Sequence, residues 1–315
     1  MDVLRASAAP GAPSTSARSP APRHVPRRCA CRAAQQEAPA AACLHDSDPD
    51  VLIEFRNVHK AFGDKKILQG ATFSVRRGEA VGIIGGSGTG KSTTLRLIAG
   101  LLEPDAGEII IKGRRRTGLI SDAVELDFGL TIGLVFQNAA LFDSLTVGEN
   151  VGFQLYEHSA LDPAVVSDLV TANLNKVGLY NVEALYPSQL SGGMKKRVAL
   201  ARAITADLNV GNEKLLMYDE PTAGLDPVAS TVVEDLMRSL HAPLGENGGA
   251  ALTGVSSYVV VTHQHSTIRR AVDRIVFLHA GQVVWEGPTA EFDESSDPYV
   301  KQFAQGLLEG PIKYL

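Results

Sequence analysis

The sequence predicts an α/β fold in which buried strands alternate with helices and one strand leads into a phosphate-binding loop. Strand-length apolar runs alternate with helical patterns over most of the chain. A Gly-rich segment of the form G-x-x-x-x-G-K-[ST] lies between one such run and a helix. A later apolar run ends in two adjacent carboxylates, Asp219 and Glu220. Together these features predict a nucleotide-binding domain.

The elements of the body follow in chain order from the spacing of apolar residues. The alternation of Val51, Ile53 and Phe55 with polar residues predicts the first strand. Further runs predict a helix at 91–101 and strands at 71–75, 80–84, 108–112 and 131–136. The segment from about 138 to 207 is mostly helical, with a helix start at Asp162-Pro163. Later runs predict helices from about 193 and at 228–240, and strands at 215–218, 257–262, 275–278 and 283–285.

Length and composition bound the organisation of the chain. Of its 315 residues, 44% are apolar, but no stretch approaches the roughly 18 consecutive apolar residues that a spanning helix needs. A membrane role would therefore require docking on a partner that spans the bilayer. We predict one ATPase domain at 46–292, with a helical subdomain at about 138–207 and a Gly-rich loop at 241–254. Residues 293–315 form a C-terminal extension with a short helix near 299–307.

The first 45 residues differ in composition from the body. They contain six Arg, two acidic residues and all three Cys, whereas the rest holds 24 Lys or Arg and 33 Asp or Glu. We interpret residues 1–45 as a disordered transit peptide, because they are rich in Ala, Ser, Pro and Arg and lack the apolar core of a secretory signal. A plain disordered tail is the alternative, and composition does not distinguish plastid from mitochondrion. The acidic body argues against a nucleic-acid partner.

The Gly-rich segment predicts a cradle for the phosphates of a nucleotide. Its glycines allow a tight turn whose N–H groups converge on phosphate, and the helix N-terminus adds partial positive charge. Lys91 supplies a full charge to the phosphates. The Ser92 hydroxyl can ligate Mg²⁺, with Thr93 beside it. The predicted loop comprises Gly85, Gly86, Ser87, Gly88, Thr89, Gly90, Lys91 and Ser92.

Polar residues at the ends of three other strands complete the predicted chemistry. Asp219 is placed to hold Mg²⁺, and Glu220, one residue later, to orient and deprotonate the attacking water. His263 follows the strand at 257–262 and can reach the γ-phosphate. Gln137 follows the strand at 131–136, where its amide can contact Mg²⁺ or the water. We therefore predict Glu220, His263, Gln137 and Lys91 as catalytic, and Ser92, Gln137 and Asp219 as metal ligands.

The segment Leu190-Ser191-Gly192-Gly193-Met194 resembles the LSGGQ signature of ABC ATPases. It stands 28 residues before Asp219, and all the motifs above occur in that family's order over about 51–287. The resemblance implies a RecA-like core with an N-terminal antiparallel β subdomain and an α-helical signature subdomain. It also implies a homodimer in which Ser191, Gly192 and Gly193 complete the ATP site of the opposite copy. Asp226 would lie at the interface between the two copies, which we call the seam. Phe62 would stack on the adenine base of ATP.

Departures from the usual ABC motifs indicate which branch of the family this sequence resembles. Met194 replaces the usual Gln, and Gln264 replaces the Asp that commonly follows the His. The variant is similar to the ATPases of Mla-type phospholipid transporters, and residues 261–273, 302–303 and 309–312 resemble those of chloroplast trigalactosyldiacylglycerol lipid importers. That resemblance implies a membrane permease, an MCE-type lipid-binding subunit, a glycerolipid cargo from the endoplasmic reticulum, and a peripheral location on the stromal face of the chloroplast inner envelope.

Two alternatives share the ATP residues. A soluble ABC ATPase of the iron–sulfur scaffold type would lack a permease partner. A DNA-repair or translation ABC protein is disfavoured by the acidic body and the single cassette. For a transporter, we expect the permease to dock on an apolar surface after Gln137, formed by Ala139, Ala140, Leu141, Phe142 and Leu145.

Overall fold

A computed structural model describes residues 48–119, 129–205, 213–241 and 255–313. The predicted transit peptide at 1–45 lies outside these residues, as does nearly all of the predicted loop at 241–254. Within the described residues, no helix combines the length and the apolar character needed to cross a membrane.

The strands of the described residues fall into two sheets. The first sheet is antiparallel, in the order β2-β1-β4-β5. Its strands are β1 (Val51–Phe62), β2 (Lys65–Arg76), β4 (Ala106–Ile111) and β5 (Arg114–Arg115). The second sheet has the order β10-β9-β3-β8-β7-β6, with β10 antiparallel to five parallel strands. Its strands are β3 (Ala80–Ile84), β6 (Leu130–Val135), β7 (Glu213–Asp219), β8 (Val255–Thr262), β9 (Arg274–His279) and β10 (Gln282–Pro288).

Helices cover the parallel sheet and supply its connections. Among the described residues between β6 and β7 lie three α-helices and one 3₁₀ turn, as the helical pattern predicted. These are α2 (Val147–His158), α3 (Pro163–Lys176), the turn at Pro187–Gln189 and α4 (Gly192–Thr205). The remaining helices are α1 (Lys91–Ile98), α5 (Pro227–Leu240), α6 (His265–Ala271), α7 (Thr289–Phe292) and α8 (Pro298–Gln305).

Local sequence explains where the helices begin. In α3, Asp162 caps the N-terminus and Pro163 occupies the first turn, so the start predicted there is confirmed. The same Asp-Pro pair begins α5 at Asp226. Helix α2 begins with a capping box between Thr146 and Glu149, in which each side chain accepts from the other's backbone N–H.

Both faces of the parallel sheet are buried, which explains why its strands are apolar throughout. Alternate residues of each strand point to opposite faces. Val81 and Ile83 pack with α1 and the antiparallel sheet in one core cluster. Ala80 and Ile84 pack with the helical subdomain in the other. The sheet therefore stands between two hydrophobic cores, and its strand ends open at one shared edge.

Candidate functional site

The register of the parallel sheet brings the predicted site residues to the same edge. Strand β8 lies between β3 and β7, with Ile84 opposite Thr262 and Asp219 opposite Val261. Each of these positions is at or near the carboxyl end of its strand. The phosphate loop after β3, the carboxylates after β7 and His263 after β8 are therefore neighbours, as in other open α/β sheets.

The turn after β3 requires glycine at its first position. Gly85 has φ of +151°, and a Cβ there would lie 2.2 Å from the carbonyl oxygen of Leu278. Any larger residue would push the loop away from β9. Gly90, at φ +103°, then caps α1. The loop thus passes tightly between the sheet and the helix, leaving the N-terminus of α1 facing the strand edge.

The Lys91 ammonium is held inside the loop. Its Nζ donates to the carbonyl oxygens of Gly85 at 3.0 Å and Gly86 at 2.8 Å. Burial lowers the pKa of Lys91, while the negative charges of Glu220 and Asp219 act in the opposite direction. A buried cation satisfied only by two neutral carbonyls is a strong site for an anion such as phosphate.

The predicted metal ligands Ser92 and Asp219 lie in direct contact. The Ser92 hydroxyl donates to Asp219 Oδ1 at 2.9 Å. Burial raises the pKa of Asp219, against the hydrogen bond from Ser92. A hydroxyl and a carboxylate at one point beside a phosphate loop fit Mg²⁺, which takes few protein oxygens and completes its shell with phosphate and water.

The predicted base, Glu220, is aimed at the same edge. Its backbone turns out of β7 with φ of +48°, which is uncommon for a residue with a Cβ. Its Oε1 lies 2.7 Å from His263 Nδ1, and its Oε2 accepts from Thr262 Oγ1 at 3.3 Å. The carboxylate is buried, whereas 59% of the His263 side chain is exposed. The pair therefore combines a sheltered carboxylate with an imidazole that can reach outward.

Gln137 enters the site through its backbone. Lys196, buried on α4, donates from Nζ to the carbonyl oxygen of Gln137 and, at 3.4 Å, to that of Glu220. The Gln137 side chain is exposed. Burial lowers the pKa of Lys196, while Asp219 and Glu220 raise it. This lysine joins helix α4 to two strand ends that carry predicted site residues.

Sequence reasoning missed Lys196, although a signal was present. Ala199, Leu200 and Ala203 follow it at three, four and seven residues, and all are buried. Lys196 therefore occupies a position in the apolar stripe of α4. A charge on such a stripe indicates a specific partner inside the protein.

Phe62 stands at the rim of the phosphate cleft. It ends β1 and pairs with Lys65 of β2, which lines the cleft together with Gly88, Lys91 and Ser92. The ring is 47% exposed, and Lys60 Nζ lies 5.7 Å from its centroid. An exposed aromatic face beside a phosphate cleft is suited to stack on a nucleotide base.

The signature residues line a separate cleft. The Ser191 hydroxyl accepts from the backbone N–H of Met194, and Gly192 begins α4. Asp226 faces the same cleft while its Oδ1 accepts from Val228 N at 3.0 Å and Ala229 N at 2.9 Å. The cleft measures about 260 Å³ and the phosphate cleft about 160 Å³, with no lining residue in common. Each is below the roughly 300–1,000 Å³ of typical small-molecule sites.

The loop after Gln137 corrects part of the predicted docking surface. Ala139 is only 2% exposed and forms no outer surface, whereas Leu141 is partly buried against the core. Phe142, at 45% exposed, does present its ring. Arg202 donates to the carbonyl oxygens of Ala139 and Ala140, and both of these residues have positive φ. Side-chain hydrogen bonds from α4 therefore hold the loop in an unusual backbone shape.

The sequence is similar to those of known proteins. The family model described as ABC transporter matches residues 68–223. The Arabidopsis thaliana Protein TRIGALACTOSYLDIACYLGLYCEROL 3, chloroplastic, is 59% identical over 271 residues, covering 85% of this chain and 78% of that protein. The Haemophilus influenzae intermembrane phospholipid transport system ATP-binding protein MlaF is 35% identical over 263 residues, covering 84% of this chain and 94% of that protein.

Solved structures share the fold. The ATP-binding cassette MJ0796, in a dimeric post-hydrolysis state bound to ADP and Pi, matches with a TM-score of 0.63 and 29% identity. The match covers 76% of this chain and 99% of that one. The α/β fold, the antiparallel sheet and the helical subdomain predicted from the sequence are confirmed by these matches.

Proposed function

Because this chain belongs to the ABC transporter ATPase family, we propose that it is the motor subunit of a chloroplast lipid transporter and that two copies hydrolyse ATP at their shared seam. The observation that carries the catalytic part is the convergence of Lys91, Ser92, Asp219 and Glu220 at one edge of the sheet. The transported lipid is inferred from the relatives named for trigalactosyldiacylglycerol and for intermembrane phospholipid transport.

Binding of ATP begins at the phosphate loop. Lys91 exchanges its two loop carbonyls for phosphate oxygens, which are charged and therefore stronger acceptors. The N–H groups of residues 85–92 and the start of α1 face the same anion. Phe62 stacks on the adenine. The Ser92 hydroxyl and the Asp219 carboxylate would hold Mg²⁺, which would neutralise part of the negative charge of the phosphates.

A second copy of the chain completes the site. Each of the two clefts is too small to enclose a nucleotide, and the signature cleft is a helix N-terminus with Ser191, Gly192 and Gly193 at its mouth. Placed over the γ-phosphate of the opposite copy, these residues supply further N–H donors and exclude bulk water. Asp226 then lies at the seam, on the loop that leads into α5.

Hydrolysis follows from the Glu220 and His263 pair. The buried Glu220 carboxylate accepts a proton from the attacking water, and Thr262 fixes the orientation of that carboxylate. His263 has an exposed side chain that reaches the γ-phosphate edge. Lys91 stabilises the negative charge that develops on the phosphoryl oxygens. Loss of phosphate removes the shared anion and reopens the seam.

Coupling to transport uses the loop after Gln137. Lys196 joins this loop to the strand end that carries Glu220, so movement of the signature helix changes both together. Phe142 supplies an exposed aromatic contact for a permease helix, supported from behind by Phe153 at 4.9 Å. The proposed partners are the permease and an MCE-type lipid-binding subunit. The proposed location is the stromal face of the chloroplast inner envelope.

The test of this function is the Glu220→Gln variant of the chain, purified from envelope membranes with its partners. The amide keeps the size of the side chain but does not accept the water proton. We expect a nucleotide-bound dimer with phosphate release reduced by about 100-fold or more. Co-purification of an integral permease and of glycerolipid, identified by mass spectrometry, tests the transport assignment.

The matched control is Glu291→Gln, a carboxylate on α7 away from the sheet edge. It should leave phosphate release unchanged. Undiminished hydrolysis in Glu220→Gln would contradict the base assignment. Purification of an active but purely soluble complex would instead favour the scaffold class, which the transport relatives do not support.

A further inference from the structure

A buried chain of side chains connects the residue after His263 to helix α5. The Thr222 hydroxyl lies 2.7 Å from the side-chain Oε1 of Gln264 and 3.1 Å from the hydroxyl of Thr267. The Thr267 hydroxyl in turn lies 2.7 Å from Oε1 of Glu234. Thr222, Thr267 and Glu234 are each at most 1% exposed. The three contacts form one continuous path, Gln264–Thr222–Thr267–Glu234, which we call the amide–carboxylate relay.

The relay has three contacts and needs three protons, one for each. Each hydroxyl has a single proton to donate. If Thr222 donates to the amide oxygen and Thr267 donates to Glu234, the contact between the two hydroxyls is left without a proton. A buried oxygen pair at 3.1 Å without a proton between its members is unfavourable.

The primary amide of Gln264, at the end of the relay opposite Glu234, can supply the third proton. A glutamine can present its Nε2 instead of its Oε1 to Thr222. The Gln264 amide then donates to Thr222, Thr222 donates to Thr267, and Thr267 donates to the Glu234 carboxylate. Every contact carries one proton, and all donors point toward Glu234. Arg270 Nε, 3.6 Å from the other carboxylate oxygen, supports the negative end, although Asp235 lies closer to Arg270 at 2.8 Å.

The aspartate that commonly stands at the position of Gln264 would be incompatible with this arrangement. Two carboxylates, one at each end, would both accept, and the two hydroxyl protons would point outward in opposite directions. The central contact would then require an additional proton on one carboxyl group. The buried Glu234 therefore demands a donor at position 264, which gives a physical reason for the departure noted in the sequence.

Gln264 also contacts the catalytic pair through its backbone. Its N–H donates to Thr262 Oγ1 at 3.0 Å, and that hydroxyl donates to Glu220 Oε2 at 3.3 Å. On the other side, Thr222 lies in the turn between Glu220 and Asp226, where its carbonyl accepts from Leu225 N. Displacement of Gln264 would therefore disturb both the carboxylate of the base and the loop that reaches the seam.

We propose that Gln264 is a positioning residue whose amide, fixed by the relay to Glu234, holds Glu220 and the 222–226 turn in place for hydrolysis. This inference rests on the proposed ATPase function. It assigns no direct contact between Gln264 and ATP. It predicts instead that the effect of the side chain at one end of the relay depends on the side chain at the other end. The native combination is one amide and one carboxylate.

The experiment compares the full chain with Gln264→Glu, Glu234→Gln and the double exchange. Gln264→Glu keeps the size of the side chain but places acceptors at both ends, so kcat should fall by about 10-fold while ATP affinity stays within about 2-fold. Glu234→Gln leaves a donor at one end and an acceptor at the other, so its kcat should stay within about 2-fold. The double exchange reverses the direction of the relay and should restore kcat to within about 3-fold.

Urea unfolding midpoints of the four chains provide a second readout that does not depend on hydrolysis. The midpoints should follow the same order as kcat. Gln264→Glu should have the lowest midpoint, and the double exchange should return close to the midpoint of the unsubstituted chain. In a Thr222→Val background, which interrupts the relay, Glu234→Gln should no longer rescue Gln264→Glu. A double exchange as slow as Gln264→Glu alone would overturn the inference. If the unsubstituted chain releases no phosphate while the midpoints show the exchange pattern, the relay stands and the proposed function fails.

Discussion

The two clefts of the chain differ in how completely their polar groups are paired. In the phosphate cleft, Lys91 and Ser92 both have partners, two loop carbonyls and the Asp219 carboxylate. In the signature cleft, Ser191 and Gly192 are exposed, and the Ser191 hydroxyl accepts from the Met194 N–H in the first turn of its own helix. The phosphate cleft is thus pre-organised within one chain, whereas the signature cleft presents its donors outward.

This difference indicates a division between binding and hydrolysis. A pre-organised cleft can hold the triphosphate before any partner arrives, because its groups need little rearrangement. The exposed cleft contributes only when a second copy closes over the phosphate. Variants of the first cleft should therefore weaken nucleotide binding, and variants of the second should spare binding and slow turnover.

The largest effect is expected for Lys91→Ala. The variant removes the only full charge in the phosphate loop, worth about 1.5–3 kcal/mol of nucleotide binding or roughly 10–150-fold in affinity. Fluorescent-nucleotide titration measures this loss. Lys301→Ala, an exposed lysine on α8, is the control and should bind as the unsubstituted chain does. Equal affinity in Lys91→Ala would remove the distinction between the two clefts.

The next effect is expected for Gly192→Asp in the exposed cleft. A Cβ at this position lies 3.5 Å from Leu225, an ordinary contact, so the chain can fold with a side chain there. The added carboxylate would repel a γ-phosphate and cover the helix N-terminus, lowering phosphate release by roughly 10–100-fold. ATP affinity measured on the isolated chain should stay unchanged. A parallel loss of affinity would place this residue in the binding cleft of its own chain.

A smaller effect is expected where the two regions are joined, at Lys196→Met. Methionine fills a similar volume but does not donate to the carbonyls of Gln137 and Glu220. Loss of these hydrogen bonds should lower kcat by roughly 3–10-fold with little change in ATP affinity. Lys195→Met, the partly exposed neighbour, is the matched control. If both variants behave alike, Lys196 has no special part in coupling the clefts.

The smallest effect is expected for the stability contribution of Asp226. Its carboxylate caps α5 through two backbone N–H groups. Asp226→Ala should therefore lower the free energy of unfolding by about 1 kcal/mol. Asp226→Asn retains a capping oxygen and should recover most of this loss in a urea titration. Hydrolysis that remains impaired in the stable Asp226→Asn chain would indicate a second role at the seam.

The sequence predicted the parts of the site that depend on strand ends. Asp219, Glu220 and His263 follow buried runs whose length and apolar character identify them as strands of one sheet. Since such strands end at a common edge, their neighbours in space could be inferred without coordinates. The helix start at Asp162-Pro163 was equally local, because the capping geometry uses adjacent residues.

Contacts between side chains distant in sequence were not predictable in this way. Lys196 meets Gln137 across 59 residues, and Thr222 meets Gln264 across 42. Such pairs depend on the rotation of each helix about its axis and on how α4 and α5 pack. The periodicity of apolar residues shows which face of a helix is buried, but not which side chains that face contacts. The same limit explains Ala139, which the sequence suggested as a surface residue but which is buried in a hydrophobic core cluster.

The separation of the two clefts on one chain has a consequence for mixed pairs. If each copy donates one half to each of two catalytic centres, a lesion in one cleft impairs only the centre to which that cleft contributes, and a pair of subunits with the same lesion loses both centres. Lesions of different kinds are nevertheless complementary. A subunit lacking the lysine of the phosphate loop, combined with one carrying a blocked signature glycine, would rebuild one intact centre and leave the other doubly damaged. Neither subunit alone could do so, and the heterodimer would regain up to half of normal turnover.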